Sequence, residues 1–168
     1  QMAKSQKNDT HIMVALHSLA VASSYTEDYN DAVNYSKQLI KYSEEINDQP
    51  SYADAWMNLG IYYKSMGMPD SAIEAYNKAS NVFRELNDSL KLVMTRYNVG
   101  NILKNQKKYK EAEQVMKEIF DYCASNGIPE GQAYSLWALS AIYEETGRVN
   151  DGLALIDTAI KIASHYNL

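Results

Sequence analysis

Shifted along itself so that Ala32 falls on Ala72, Ala72 on Ala112 and Ala112 on Gly152, the chain matches itself through four copies, and internal periodicity on that scale constrains a fold more tightly than any local propensity. Those four small residues make one column. A second holds Ala20, Gly60, Gly100 and Ser140. The bulky residues Leu19, Leu59, Val99 and Leu139 make a third, and Leu39, Ala79, Ile119 and Ala159 a fourth. Small residues recurring in phase mark places where one helix backbone approaches another closely.

Within each copy the apolar spacing is helical and is interrupted once, by Thr26-Glu27-Asp28, Met66-Gly67-Met68-Pro69-Asp70, Gln106-Lys107-Lys108 and Thr146-Gly147-Arg148. Each copy therefore reads as a helical hairpin. Gly67 and Gly147 stand where a helix C-terminus requires a left-handed residue, and Pro69 and Asp70 suit the first turn of the helix that follows. Asn47-Asp48-Gln49-Pro50-Ser51, Asn87-Asp88-Ser89 and Ser125-Asn126-Gly127-Ile128-Pro129-Glu130 separate the copies with capping and turn residues. The pattern predicts eight helices, near 9–24, 27–46, 52–66, 69–86, 89–106, 109–125, 130–146 and 149–166.

Composition agrees. Only 7 Gly and 3 Pro punctuate 168 residues, which disfavours a many-turned β architecture. With 46% hydrophobic residues the chain has the means to build a core. Sixteen Lys and Arg against 21 Asp and Glu give a net charge of −5, so binding to nucleic acid is not expected. No run of about 18 apolar residues occurs, and no membrane span is expected in this fragment. The chain starts Gln1-Met2-Ala3-Lys4 and reads as a processed form or a piece of a larger protein.

The second copy resembles the tetratricopeptide repeat signature almost in full: Trp56, Leu59, Gly60 and Tyr63, then Gly67, Ala72, Tyr76 and Ala79. The fourth keeps Leu139, Tyr143, Gly147 and Ala159, with Leu136 at the tryptophan position. The third keeps Gly100, Tyr109 and Ala112, with Arg96 at the tryptophan and Lys107 at the glycine. The first keeps Leu16, Leu19, Ala20 and Ala32. A period of 40 is similar to the longer-helix variant of the family found in cell-polarity adaptors and bacterial regulators, and Val99-Gly100-Asn101 resembles that variant's Leu-Gly-Asn. The resemblance implies an all-α fold, a right-handed α-α superhelix of four helical hairpins. It would form a single domain over 1–168, with copies at about 13–52, 53–92, 93–132 and 133–168.

In that family the first helix of each hairpin lines a concave groove. Counting Met13, Ala53, Val93 and Ala133 as first, the resemblance assigns the fifth, sixth, ninth and twelfth positions to it. The fifth are His17, Met57, Tyr97 and Trp137. Asn58 and Asn98 stand at the sixth, Asn101 at the ninth, and Lys64 and Lys104 at the twelfth; Tyr134 joins Trp137 on the fourth copy. Large side chains that no neighbouring hairpin covers suit a binding stripe or packing against further protein. An asparagine amide both donates to and accepts from a peptide unit, so these residues are the expected contacts for a peptide or helix of a protein partner. The lysine and asparagine pair with which some members grip a C-terminal carboxylate is missing, since His17 pairs with Val21 and Met57 with Ile61. Trp56 and Tyr63 are expected in the core.

No catalytic constellation is found. His11, His17 and His165 are the only histidines and have no metal-binding spacing, so neither metal nor cofactor is expected. Cys123 reads as a small buried hydrophobe. The last helix is apolar on two faces, Leu153, Ile156, Ile160 and Ala163 on one and Leu155, Ala159, Ile162 and Tyr166 on the other. Leu155, Ile162 and Tyr166 are expected to mediate self-association, giving a possible homo-oligomer through the terminal helices. The leading functional reading is a non-catalytic interaction module within a larger protein. Alternatives are a ligand-sensing domain of a bacterial transcription or signalling regulator and a carbohydrate-handling helical-repeat protein, the latter kept open by 14 tyrosines. One free cysteine is compatible with a cytoplasmic or a periplasmic location.

Overall fold

A computed structural model describes residues 2–167, with side chains from Asn8 onward. Every regular element among the described residues is an α-helix: α1 (Met2–Tyr25), α2 (Tyr29–Glu45), α3 (Gln49–Ser65), α4 (Pro69–Glu85), α5 (Ser89–Asn105), α6 (Tyr109–Asn126), α7 (Pro129–Glu145) and α8 (Val149–Tyr166). The eight expected helices are present. Helix α1 starts well ahead of residue 9, and α3 opens at Gln49 rather than 52. The second shift has a local cause: the Asp48 carboxylate accepts the Ser51 N–H at 3.1 Å, and Pro50 sits in the first turn, where no backbone donor is needed. Two compact units result, Gln1–Leu92 and Val93–Leu168, and the division lies at the boundary expected between the second and third copies.

The turns obey a finer period than the sequence columns showed, half of one repeat. Left-handed residues occur at Glu27, Asn47, Gly67, Asn87, Lys107, Gly127, Gly147 and Asn167, in equal steps along the chain. Each of the first seven ends a helix with the same pair of backbone bonds or its nearest variant. The N–H of the next residue reaches five positions back, as in Asp48 to Ser43 at 2.8 Å, Met68 to Tyr63 at 2.9 Å and Arg148 to Tyr143 at 2.7 Å. These bonds satisfy carbonyls that the helix itself leaves open. In three turns the same next residue, Asp28, Asp48 or Asp88, also caps the following helix by accepting an N–H three residues on.

Because the two small-residue columns stand at nearly equal distances before and after the turn of each hairpin, they meet. Ala20 and Ala32 share one core cluster with Tyr62. A Cβ added at Gly60 would come within 2.8 Å of the Tyr76 ring, and one at Gly152 within 3.2 Å of the Ser140 carbonyl. Ala72 and Ala112 are fully buried. Hairpins then join through the bulky columns: Leu39 and Ile40 of α2 pack with Ala55 and Leu59 of α3 in the first unit, and α6 packs on α7 in the second, where the Cys123 sulfur fills the space a side chain on Gly131 would need. Cys123 is thus a buried packing group, and burial pushes its thiol pKa up to about 11. Trp56 and Tyr63 pack against the first unit's core, with Lys78 lying 4.2 Å from the Trp56 ring centroid.

Two stability measurements test this description. Ala72→Leu overfills a closed helix contact and is expected to cost about 1–3 kcal/mol in denaturant titration. Lys107 holds φ 60°, a conformation glycine adopts without a Cβ clash. Lys107→Gly is therefore expected to stabilise by about 1 kcal/mol, roughly 2–4 °C in Tm, and a fall in Tm would contradict the turn geometry.

Candidate functional site

The packing just described uses two faces of α3 and of α7 and leaves a third. On α3 it buries Ala55, Leu59 and Tyr62, and the face that remains carries Met57, Asn58, Ile61 and Lys64. Met57 and Asn58 are half-buried, whereas Ile61 and Lys64 are exposed. His17 on α1 is exposed and comes beside Asn58, with 3.5 Å between its Nδ1 and the Asn58 amide nitrogen. The first unit thus brings the fifth position of one copy next to the sixth of the following copy. In the tautomer whose Nδ1 carries no proton the Asn58 amide donates to it, and the amide's carbonyl oxygen takes no part in that bond.

In the second unit Tyr97, Asn98, Asn101 and Lys104 line one face of α5 and are all half-buried. The Asn98 side-chain amide donates to the Met94 carbonyl at 3.1 Å, one turn back in the same helix. That bond leaves the Asn98 side chain chiefly as an acceptor. Tyr134 and Trp137 on α7 are 64% and 59% exposed. Together with Ala133 they line an open apolar groove against Ile156, Ala159, Ile160 and Ala163 of α8.

The structure redraws the expected surface of the last helix. Leu155 and Ile162 are half-buried, and only Tyr166 of that trio is exposed. The exposed apolar stripe is instead Leu153, Ile156 and Ile160. Hydrophobicity alone could not choose between two apolar faces. The choice is made at Gly152, whose close approach to Ser140 turns the residues three, seven and ten positions later, Leu155, Ala159 and Ile162, toward α7.

A column that the sequence pattern left unmarked, except at Tyr134, is the second position of each copy. Val14 and Met94 are exposed apolar residues there, at 57% and 48%. Asp54, the remaining member, pairs with Lys91 at 2.6 and 2.9 Å. The signal was present on three of the four first helices as a large apolar or aromatic residue, Val14, Met94 or Tyr134, at a position that a helix packed on two sides has no need to make apolar.

Helix α8 is held in place by a cluster centred on Glu113 of α6. Arg148, in the turn before α8, places Nη2 at 2.5 Å from one carboxylate oxygen. Lys117 Nζ at 2.7 Å and the Tyr143 hydroxyl at 3.0 Å donate to the other. The Arg148 guanidinium also stacks 3.7 Å from the Tyr143 ring centroid. These donors, Arg148 foremost, hold the Glu113 pKa down at about 2. Among the described residues no group of three or more His, Cys, Asp or Glu is placed to hold a metal ion, and no helix is long and apolar enough to cross a membrane.

Comparison with known proteins follows the same lines. A family model described as Tetratricopeptide repeat matches residues 11–85 and, one copy later, 51–125. A model described as Anaphase-promoting complex subunit 5 matches residues 100–167. The transcriptional activator NprA of Geobacillus stearothermophilus is 23% identical over 130 residues, which is 77% of this chain and 32% of NprA. The crystal structure of BtubC from P. vanneervenii superposes with a TM-score of 0.78 at 18% identity, over 92% of this chain and 64% of BtubC. A Rap protein solved in complex with competence and sporulation factor gives 0.75 at 17% identity, over 95% of this chain and 44% of the Rap chain. The chain spans about a third of the activator's length and less than two thirds of either of these two structures.

The Glu113 cluster makes a pH prediction. A carboxylate whose pKa drops on folding contributes stability that is fully present above its unfolded value of about 4.5 and is lost as the pH falls toward 2. Glu113→Gln is expected to lower stability at neutral pH and to flatten its decline between these two values, read by urea titration at a series of pH values.

Proposed function

Because the chain belongs to the tetratricopeptide repeat family, we propose that it is a non-catalytic binding module that takes up a peptide segment or helix of a protein partner on the free faces of its odd-numbered helices. The observation that carries this reading is the recurrence of that face. In both units it presents asparagine, lysine and large apolar side chains at fixed positions, while the other faces of the same helices are taken up by packing. Asn58 and Asn101 supply amides for the peptide backbone, and Lys64 and Lys104 supply positive charge on a chain whose net charge is −5. Met57, Tyr97, Tyr134 and Trp137 supply apolar contact.

A sensory role within a transcription regulator is the second reading, and one specific observation favours it. NprA, similar to this chain over 130 residues, is a transcriptional activator about three times as long as the stretch covered, and the similar Rap protein was solved in complex with competence and sporulation factor. A module of this kind within a regulator would couple peptide binding to an attached output domain, provided that the two states of that domain differ in affinity for the peptide.

Selection of a displayed library of random decapeptides against the chain tests the binding reading. Enriched peptides are expected to bind Asn101→Ala and Lys104→Ala variants at least about fivefold more weakly, a loss of roughly 1 kcal/mol, with Tm unchanged. Failure to enrich any peptide, or affinities indifferent to both substitutions, would overturn it.

A further inference from the structure

The turn between α5 and α6 is made of residues that its backbone does not favour. Three of the turns that join two helices carry glycine at the left-handed position, Gly67, Gly127 and Gly147. Three others follow that position with an aspartate that caps the next helix, Asp28, Asp48 and Asp88. The α5–α6 turn has neither. Its left-handed residue is Lys107, at φ 60°, and the next is Lys108, which gives α6 no side-chain cap. A Cβ at positive φ and a cation at a helix N-terminus both cost stability. Lys110 puts another cation in the first turn of α6, beside Glu111. Residues that a turn retains against its own local preference point to a use outside the fold. Arg148 shows what a structural cation looks like at the place of Lys108 one hairpin later, for its guanidinium is taken up by Glu113.

The lysines of this turn have no such partner. Among the described residues Lys41, Lys78, Lys91, Lys117 and Lys161 each pair with a carboxylate, whereas Lys104, Lys107, Lys108 and Lys110 pair with none. Glu145, which meets this turn, accepts from the Tyr109 hydroxyl at 2.7 Å. Lys107, Lys108 and Lys110 are exposed and Lys104 is half-buried. Another hairpin, α7 with α8, follows in the same compact unit, so the openness of the turn does not come from an end of the sequence. We propose that the turn docks an acidic, extended segment of a protein partner, its carboxylates lying along Lys104, Lys107, Lys108 and Lys110. Lys104 belongs also to the α5 face that carries Asn101, and a segment that leaves this face past the end of α5 runs onto the other three lysines. Where the rest of the segment lies rests on the peptide-binding reading above; the acidic contact itself does not. A short acidic segment meets only the lysines, whereas a nucleic acid or an anionic membrane would also meet the remainder of a chain whose net charge is −5.

The test measures binding of fluorescently labelled octaglutamate to the chain by anisotropy at low salt. Lys107→Gln, Lys108→Gln and Lys110→Gln together are expected to weaken it at least about tenfold. Lys41→Gln, Lys78→Gln and Lys161→Gln together remove the same charge from paired sites and are expected to weaken it less than about twofold. Lys108→Asp alone supplies the missing cap, so it is expected to raise Tm while weakening octaglutamate binding, a combination that a purely structural lysine would not give. Asn101→Ala is expected to leave octaglutamate binding unchanged, so that failure of the peptide selection and failure of this contact are read separately. A wild type that does not bind octaglutamate, or equal losses in the two triple variants, would overturn the proposal. So would capture by phosphatidylserine vesicles or by a DNA oligonucleotide that is tighter than octaglutamate binding and is lost with the same three lysines.

Discussion

Everything in this molecule is spaced by the left-handed residue that ends each helix. A helix stops when its last carbonyls find donors outside the helix, and here the same backbone arrangement supplies them at equal intervals, twice in each repeat. With stop and restart fixed, most helices have 17 residues, about 25 Å at 1.5 Å per residue. Similar distances from the turn then bring residue 20 opposite 32, and 140 opposite 152, and small side chains at those points let the backbones close. The packing within each hairpin is thus set by turn geometry as much as by apolar burial.

The same spacing decides what is left for function. Helices α3 and α7 have neighbours on two sides, their own partner and the adjoining hairpin, and the residues on the remaining face answer to neither. On that face stand His17 beside Asn58, and Tyr134 beside Trp137. Glu113 acts on this arrangement from outside. By holding Arg148 and Tyr143 it fixes the turn from α7 into α8, and so the angle at which α8 forms one wall of the groove beside Trp137.

Much of this was legible in the sequence, because the columns of the repeat record backbone contacts that tolerate only small side chains. The half-repeat rhythm of the turns was harder to see. Glycine marks only three of its eight positions, Gly67, Gly127 and Gly147, and asparagine, glutamate and lysine fill the others, since a well-determined turn holds a non-glycine residue at positive φ. The face of α8 was misjudged because both its faces are apolar, and the deciding contact is the approach of Gly152 to Ser140, a property of two helices rather than one. Nor could the sequence reveal that the Asn98 amide is engaged with its own helix, because asparagine at that spacing is equally suited to solvent or to a ligand.

The evenly spaced stops also bear on how such a chain changes over generations. Deleting one residue inside a helix rotates everything after it by about 100° relative to the turn that closes the helix. The small column then leaves the contact and a larger side chain enters it. Removing one whole helix with its turn restores the rotation but reverses the direction of every arm that follows. Only gain or loss of a complete repeat leaves both direction and facing intact, so length variation among descendants of this sequence is expected to be quantised in whole hairpins.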